Sequence, residues 1–362
     1  MIFPLLGISV TWIWFKHKFV WWESIFPLAA NAIFILVFKW TAEHIMTSAT
    51  EYWGGYVTKA EYYEPWNEYI HRTCTRTVSC GDNCTRTETY DCSYVQWHSA
   101  KWVLTDNNGI TFRVNKSEYN RIVRKFGVVP QFVDLRRSYH TQDGDKYVAT
   151  YVGPEDMAEI VFSSHSYENR VQASSSVFNF QDVSDEDAKT YGLYDHPLIK
   201  NRSQNSLLGS NDAQAERQME LLNGFLGKEK QVRSFILLFD NQPQKAGELQ
   251  EMYWKGGNKN EFTVCIGTSG NYIKWVKIIS WNTNKKLDIS VRNWLLESGE
   301  LDLHEFIKFL RSEISDNFSR KPFFEFSYLE VELTTNQIIY IWIFSIVITI
   351  ALCFWIVYNE IK

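Results

Sequence analysis

IIYIWIFSIVITIALCFWIV, residues 338–357, runs for 20 positions without a charged side chain, matching the ~20 residues a helix needs to cross ~30 Å of hydrocarbon. Tyr340, Trp342, Trp355 and Tyr358 lie towards its ends, where amphipathic rings favour the headgroup level. So long an apolar run has few uses in a soluble core. The stretch predicts a C-terminal transmembrane helix, which makes the rest of the chain the business end of an anchored protein.

Two shorter apolar runs stand at the other end, Met1 to Phe15 and Ile25 to Phe38, separated by KHKFVWWES. The first lacks a basic region before it and a small-residue cleavage site after it, so a helical hairpin is expected rather than a signal peptide. Pro27 falls near the start of the second run, where a first-turn proline is tolerated. Asn31 is its one polar residue, and Lys39 at its end can snorkel outwards. Lys16 and Lys18 in the loop favour a cytoplasmic location for that loop. Three spans then leave residues 41–336 on the extracytoplasmic side of the cell membrane.

The 362 residues are 45% hydrophobic and 22% charged, enough to bury sizeable cores. A formal charge of −5 provides no basic excess for a phosphate backbone, which argues against nucleic acid as a partner.

Four of the six cysteines fall in HRTCTRTVSCGDNCTRTETYDC, residues 71–92. Alternation on both sides of Gly-Asp-Asn reads as a β-hairpin centred on Asp82. Cys80 then opposes Cys84, Cys74 and Cys92 lie on a diagonal, and a period of two puts all four thiols on one face. Cys74 and Cys80 would stand roughly 20 Å apart on an extended strand, too far for one tetrahedral zinc with sulfurs at about 2.3 Å. Two nested disulfides, Cys80 with Cys84 and Cys74 with Cys92, fit better, and they belong outside the cytoplasm. Zinc at Cys74, Cys80, Cys84 and Cys92 is the less favoured alternative, and no other cofactor is expected. Cys265 and Cys353 sit in apolar settings as small hydrophobes.

Residues 51–200 read mainly as strands and turns. YWGGYVTKAEYY alternates, KWVLTDNNGITFRV is a hairpin pattern, and Asn115 with Glu118 caps a short helix striped by Ile122, Val123 and Phe126. Another hairpin is expected around DGD, whose Asp143 and Asp145 fit turn chemistry better than a calcium loop. Residues 163–210 read as a polar connection, with YGLYDHPL looking ordered. From about 212 the period lengthens to roughly 3.6, with Met219, Leu222, Phe225 and Leu226 marking a helix. The strand VRSFILLF follows, then a helix over 244–255 with Leu249, Met252 and Tyr253 on one side. Two strands, EFTVCIG and YIKWVKIIS, precede a last helix striped by Leu303, Phe306, Ile307, Leu310 and Ile314. This order is that of an α/β layered domain.

The helix ending in FLG, the strand VRSFILLF and the stretch YWKGGNKNEFTVCIG resemble the TPM domain, a membrane-anchored α/β family of bacteria and plastids, over about residues 205–316. That family carries an Asn-Gly pair before the strand, where this chain has Asn260 and Glu261. The resemblance implies the fold, and admits either a phosphatase using a divalent cation or an assembly factor. The cysteine-rich and YENRVQ stretches also resemble those of membrane proteins encoded in bacterial and phage genomes, a likeness that brings no reaction with it.

The chain contains no HExxH, CxxC, Walker loop or GxSxG elbow. Gly256, Gly257, Asn258, Lys259, Asn260 and Glu261 form the candidate binding loop, with a helix cap and turn as the plainer reading. His140 and His165, with Asp143 or Glu168, are weighed as an active site and set aside, because lone histidines in strand-rich regions are more often structural. The expected whole is an α+β membrane protein with four parts: a transmembrane hairpin (1–40), a β-rich region with the cysteine hairpin (41–204), a TPM-like domain (205–320), and a C-terminal helix with a short tail (321–362). The expected function is non-enzymatic binding or scaffolding, with membrane lipid and a protein at the envelope as partners. A TPM-like phosphatase is the alternative.

Overall fold

The computed structural model describes residues 2–14, 20–81, 84–135, 144–174, 180–199 and 205–360. It is a mixed α+β chain with long apolar helices near both ends. Helices α1 (Ile2–Trp14) and α2 (Trp21–Thr47) lead into the long strand β1 (Ser48–Tyr63). Strands β2 (Trp66–Ile70), β3 (Thr73–Gly81), β4 (Cys84–Asp91) and β5 (Tyr94–His98) form a ribbon. Next come β6 (Lys101–Asp106), β7 (Thr111–Val114), α3 (Lys116–Phe126), β8 (Gln131–Val133), β9 (Lys146–Thr150) and β10 (Ile160–Glu168). Short helices α4 (Arg170–Ala173) and α5 (Asp185–Thr190) precede β11 (Leu207–Leu208), α6 (Ala213–Lys230), β12 (Arg233–Asp240) and α7 (Lys245–Tyr253). The chain ends with β13 (Glu261–Ser269), β14 (Tyr272–Ser280), α8 (Lys285–Ser298), α9 (Leu303–Asn317) and α10 (Thr335–Glu360).

Two compact units divide these elements. One comprises residues 1–51, 166–183 and 322–362, and the other residues 52–165 and 184–321. In the first, α2 and α10 run antiparallel, with Phe26 near Trp355 and Phe34 near Phe344. Both helices are long and apolar enough to cross a membrane. Helix α1 has 13 residues, about 20 Å at 1.5 Å per residue, so the two expected N-terminal spans reduce to one long helix and one short one. The second helix begins earlier than its apolar run, which puts Pro27 in its interior rather than its first turn. Asn31 is fully buried and donates to the Pro27 carbonyl at 2.9 Å and to Thr349 Oγ1 at 3.3 Å. Gly7 lies so close to α10 that a Cβ there would sit 2.4 Å from Thr349 Cγ2. Lys16 and Lys18 lie outside the described residues.

In the second unit a six-stranded sheet has the order β7-β6-β1-β9-β8, with β10 also pairing β1. Asn115 Oδ1 accepts from the Glu118 N–H at 2.9 Å, and α3 buries Ile122 and Phe126 as its period required. Part of the expected polar connection is instead strand β10, whose alternating burial against β1 gives SSHSYE a place in the sheet.

The cysteine hairpin pairs Cys74 with Tyr90 and Ser79 with Thr85, the register of a turn centred on residue 82, but the register shifts beyond Ser79 and Gly81, not the expected Cys80, pairs with Cys84. That register continues through Ile70 with Tyr94 and Trp66 with His98, and on through Tyr63 with Lys101 and Lys59 with Thr105. The hairpin is therefore the tip of one antiparallel arm, residues 59–79 against 85–105, with a contour of roughly 65 Å at ~3.3 Å per residue. Cys74 and Cys92 are disulfide-bonded and staple the arm between its two ribbon segments. Cys80 is also disulfide-bonded, while the Cys84 side chain lies outside the described ones, as do Asp82 and Asn83.

The remaining sheet has the order β11-β12-β13-β14, parallel except for β14. Alternate residues of β12 enter two cores. Ile236 joins Met219 and Leu222 of α6, Leu287 and Val291 of α8, and Phe306 and Leu310 of α9. Phe235, Leu237 and Phe239 join Cys265, Ala246 and Trp254 on the other face. Helix α8 was not anticipated. Helix α7 faces the sheet through Ala246, Gly247 and Gln250, and of the expected Leu249, Met252 and Tyr253 the core packs against Tyr253, partly buried, while Met252 is exposed. Its small residues are required because a Cβ on Gly247 would lie 2.7 Å from Trp275.

Helix α6 touches β1 backbone to backbone: a Cβ on Gly227 would sit 2.0 Å from the Gly54 carbonyl oxygen, and one on Gly54 would sit 2.1 Å from that of Asn223. Intrinsic propensity favours alanine over glycine inside a helix by ~1 kcal/mol. We expect the opposite sign at this position: Gly227→Ala lowers unfolding free energy by about 1–3 kcal/mol, measured by denaturant titration of tryptophan fluorescence. Unchanged or raised stability would mean the two backbones separate at little cost.

Candidate functional site

The loop Gly256–Glu261 is built from the end of α7. Lys255, Gly256 and Gly257 all have positive φ, at 50°, 77° and 70°, and the Gly256 N–H donates back to the Glu251 carbonyl at 2.8 Å. This left-handed exit is a helix cap of the kind glycine favours. It curls the chain around the side chain of Glu261, which begins β13 and is 3% exposed. Glu261 Oε2 accepts the Asn258 N–H at 2.9 Å, and Oε1 accepts Asn258 Nδ2 and His196, each at 2.8 Å. Lys259 is half-buried beside them.

His196 comes from YGLYDHPL, a segment laid along α7. Gln250 holds both the N–H and the carbonyl of Tyr194, and Trp254 Nε1 donates to the same carbonyl at 2.7 Å. The imidazole stands edge-on to Phe235, with ring centroids 5.6 Å apart, and lies 4.8 Å from Trp254. Beneath lies Arg233, fully buried, its guanidinium 3.9 Å from the Phe162 ring centroid and 5.0 Å from that of Phe235. Its own N–H donates to the Asn260 carbonyl at 2.9 Å. Asn260 is also fully buried and donates through Nδ2 to the Tyr52 carbonyl at 2.9 Å.

The charges balance internally. Burial lowers the basicity of Arg233 to about 9, opposed by Glu261, Glu216 and Glu220, so it stays charged at neutral pH. Burial also works against the His196 cation, but Glu261 outweighs it and leaves the imidazole above its ordinary value. For Glu261, burial raises the carboxyl while His196 and Asn258 bring it below the usual range. The arrangement is an internal clamp: the loop turns its carboxylate inward and spends it on a neighbouring histidine and its own backbone.

Of the other residues weighed, His165 Nε2 lies 2.9 Å from Ser163 Oγ and its ring stacks on Trp53 at 3.8 Å. Glu168 accepts from Arg170 Nε at 2.7 Å. Asp145 accepts the Leu135 N–H through its side chain and the Glu64 N–H through its carbonyl, as turn chemistry requires, and His140 and Asp143 lie outside the described residues. Among the described residues, no three His, Cys, Asp or Glu side chains gather as a metal-ligand set. The disulfide between Cys74 and Cys92 engages two of the sulfurs a zinc site there would need.

Sequence reading missed the His196–Glu261–Arg233 constellation. Its one visible sign was an arginine heading an otherwise apolar strand, because buried charges need partners. No family model, curated protein or solved structure matches the chain, so the TPM likeness rests on the loop and on the order of elements.

The pH dependence follows from the signs. His196, raised above 6.5, contributes stability that is full below 6.5 and is lost as pH climbs through its folded value. Glu261, held below 4.5, contributes above 4.5 and loses that on acidification. The pair is worth most between pH 4.5 and 6.5. We expect His196→Gln to cost about 1–3 kcal/mol near pH 6 and progressively less towards pH 9, measured by denaturant unfolding across that range.

Proposed function

We propose that the chain is a membrane-anchored, extracytoplasmic protein of the cell envelope that binds or scaffolds another protein without catalysis. Helices α2 and α10 anchor it. The outward faces of both helices are apolar, with Leu36 67%, Ile350 63% and Phe354 70% exposed, a pattern suited to lipid. The disulfide between Cys74 and Cys92 supports placing the arm in an oxidising compartment.

The observation that carries the binding role is the apolar patch on the arm. Strands β2 and β5 form a two-stranded sheet. Tyr69 is opposite Val95, and Trp97 lies two residues further along the same face. They are 41%, 58% and 64% exposed, in a chain region otherwise rich in threonine and charge. Aromatic anchors of this kind are the residues that dominate protein interfaces. The TPM-like loop, the other candidate, turns its carboxylate into the fold at the position where the resemblance would place glycine.

Photocrosslinking residues placed at Tyr69 and Val95 in intact cells are expected to give one discrete protein adduct that disappears in Trp97→Asp. No adduct, or one indifferent to that substitution, would overturn the arm's role. Hydrolysis of a generic phosphate ester by the purified chain, abolished by Asn260→Ala, would replace the proposal with the phosphatase reading. For sidedness, a membrane-impermeant thiol reagent should label Cys74 and Cys92 in intact cells only after reductant. Free thiols reached only after lysis would reverse the topology.

A further inference from the structure

We propose that a cavity of about 530 Å³ at the C-terminal end of α2 binds the headgroup of a zwitterionic, amine-bearing phospholipid. The inference rests on the reading of α2 and α10 as membrane anchors. Its volume lies within the ~300–1,000 Å³ usual for small-molecule sites. One wall is the last two turns of α2, contributing Trp40, Glu43 and His44, and the other is the segment from Ser166 to Arg170.

The position along the helix comes first. The apolar run of α2 ends at Phe38, and Trp40 follows, 68% exposed and stacked on His44 with ring centroids 5.9 Å apart. An exposed tryptophan directly beyond an apolar span marks the headgroup level. Phe324 and Tyr328, in the segment leading into α10, are 76% and 67% exposed in the same unit. The cavity therefore opens where headgroups lie.

The chemistry of the lining comes second. Arg170 is held by Glu168 through Nε at 2.7 Å and by the Leu329 carbonyl through Nη1 at 3.0 Å, with its side chain 25% exposed. Glu43 is paired only loosely, 3.5 Å from Lys39. Two carboxylates and one guanidinium suit a ligand carrying both signs: a phosphodiester against Arg170 and a primary ammonium against Glu43 and Glu168. An anionic headgroup would face the carboxylates without compensation, and a quaternary ammonium would have no N–H to donate to them.

The walls are also preformed. The Asn169 N–H donates to the Thr47 carbonyl at 2.6 Å, and Asn169 Nδ2 donates to the Tyr167 hydroxyl at 3.2 Å, while the Tyr167 ring stands edge-on to Phe323 at 5.6 Å. A pocket already held open loses little ordering entropy on binding.

The test is native mass spectrometry of the full chain in detergent with equal amounts of phosphatidylethanolamine, phosphatidylcholine and phosphatidylglycerol. The expected result is preferential retention of the ethanolamine lipid, falling about tenfold in Glu43→Gln, which removes one charge-assisted contact. Arg170→Lys, which keeps the charge but loses the fork, should weaken retention as well. Equal retention of the three lipids, or an unaffected Glu43→Gln, overturns the proposal. Competition by soluble phosphoethanolamine supports it, whereas competition by inorganic phosphate alone identifies an anion site and overturns it. Alkaline carbonate extraction separates the two readings. Release of the chain from membranes defeats the anchor reading, while retention without lipid preference defeats only the headgroup site.

Discussion

The second unit depends on one contact, the approach of α6 to β1 at Gly54, Gly55, Gly224 and Gly227. A Cβ on Gly54 or Gly227 would collide with the facing backbone, one on Gly224 would lie 2.5 Å from Cδ1 of the half-buried Ile160, and one on Gly55 would lie 2.7 Å from the Asn107 and Asn108 side chains. Helix and strand meet there without intervening side chains, and the sheets on either side are brought within hydrogen-bonding reach. Asn223, in the same turn of α6, accepts the Ser234 N–H at 2.6 Å and donates to its carbonyl at 2.9 Å. One asparagine thus stitches α6 to β12 while its own carbonyl abuts Gly54. Asn260 reaches from the loop to the Tyr52 carbonyl, a second polar tie across the same junction.

That junction explains why a buried arginine is tolerated. Arg233 has aromatic rings of Phe162 and Phe235 over its guanidinium, and three acidic side chains oppose the effect of its burial. One of them, Glu216, also fixes strand β11, accepting the Ser206 and Leu207 N–H groups at 2.8 and 2.7 Å. A buried ion pair adds little net stability over a hydrophobic isostere, but removing one partner strands the other. The His196–Glu261–Arg233 set is therefore better read as a device that fixes the strap 191–198 and the loop in one arrangement. Where the TPM resemblance would place glycine, the Glu261 carboxylate is turned inward onto Asn258 and His196.

Periodicity made the elements legible and contacts between them illegible. Met219, Leu222, Phe306, Ile307, Leu310 and Ile314 announced α6 and α9 because each helix buries one stripe. The hairpin register from Thr73 to Ser79 could be taken from Gly-Asp-Asn because two-residue periodicity fixes successive pairs once the turn is placed, whereas the shift that pairs Gly81 with Cys84 at the tip could not. The arm's full reach was hidden by punctuation: Pro65 and the polar residues around Cys92 look like strand ends, yet the register passes through them unchanged. The buried face of α7 was misjudged because its partner, Trp275, lies on a strand after it in sequence, and glycine at 247 carries no hydrophobic signal. His196 was unreadable for the same reason, since its acid stands 65 residues away.

The first unit obeys a different rule if it lies in a bilayer. Lipid tails are as apolar as leucine, so the hydrophobic effect does not bring α2 and α10 together, and association must come from close packing and interhelical polar contacts. Both are placed at one level of α10. Thr349 receives Asn31 from α2 and returns its own hydroxyl proton to the Ser345 carbonyl at 2.7 Å, while its methyl group faces Gly7 of α1. A single threonine therefore serves both neighbours. It also gives the short helix α1 a reason to remain beside α10 although it is too short to span, because Gly7 is the position where its backbone can come closest. In water the same residues would be a poor core, with an asparagine at its centre. In hydrocarbon Asn31 finds its acceptors within the bundle, the Pro27 carbonyl of its own helix and Thr349 of α10, which turns a local oddity of sequence into the seam of the bundle.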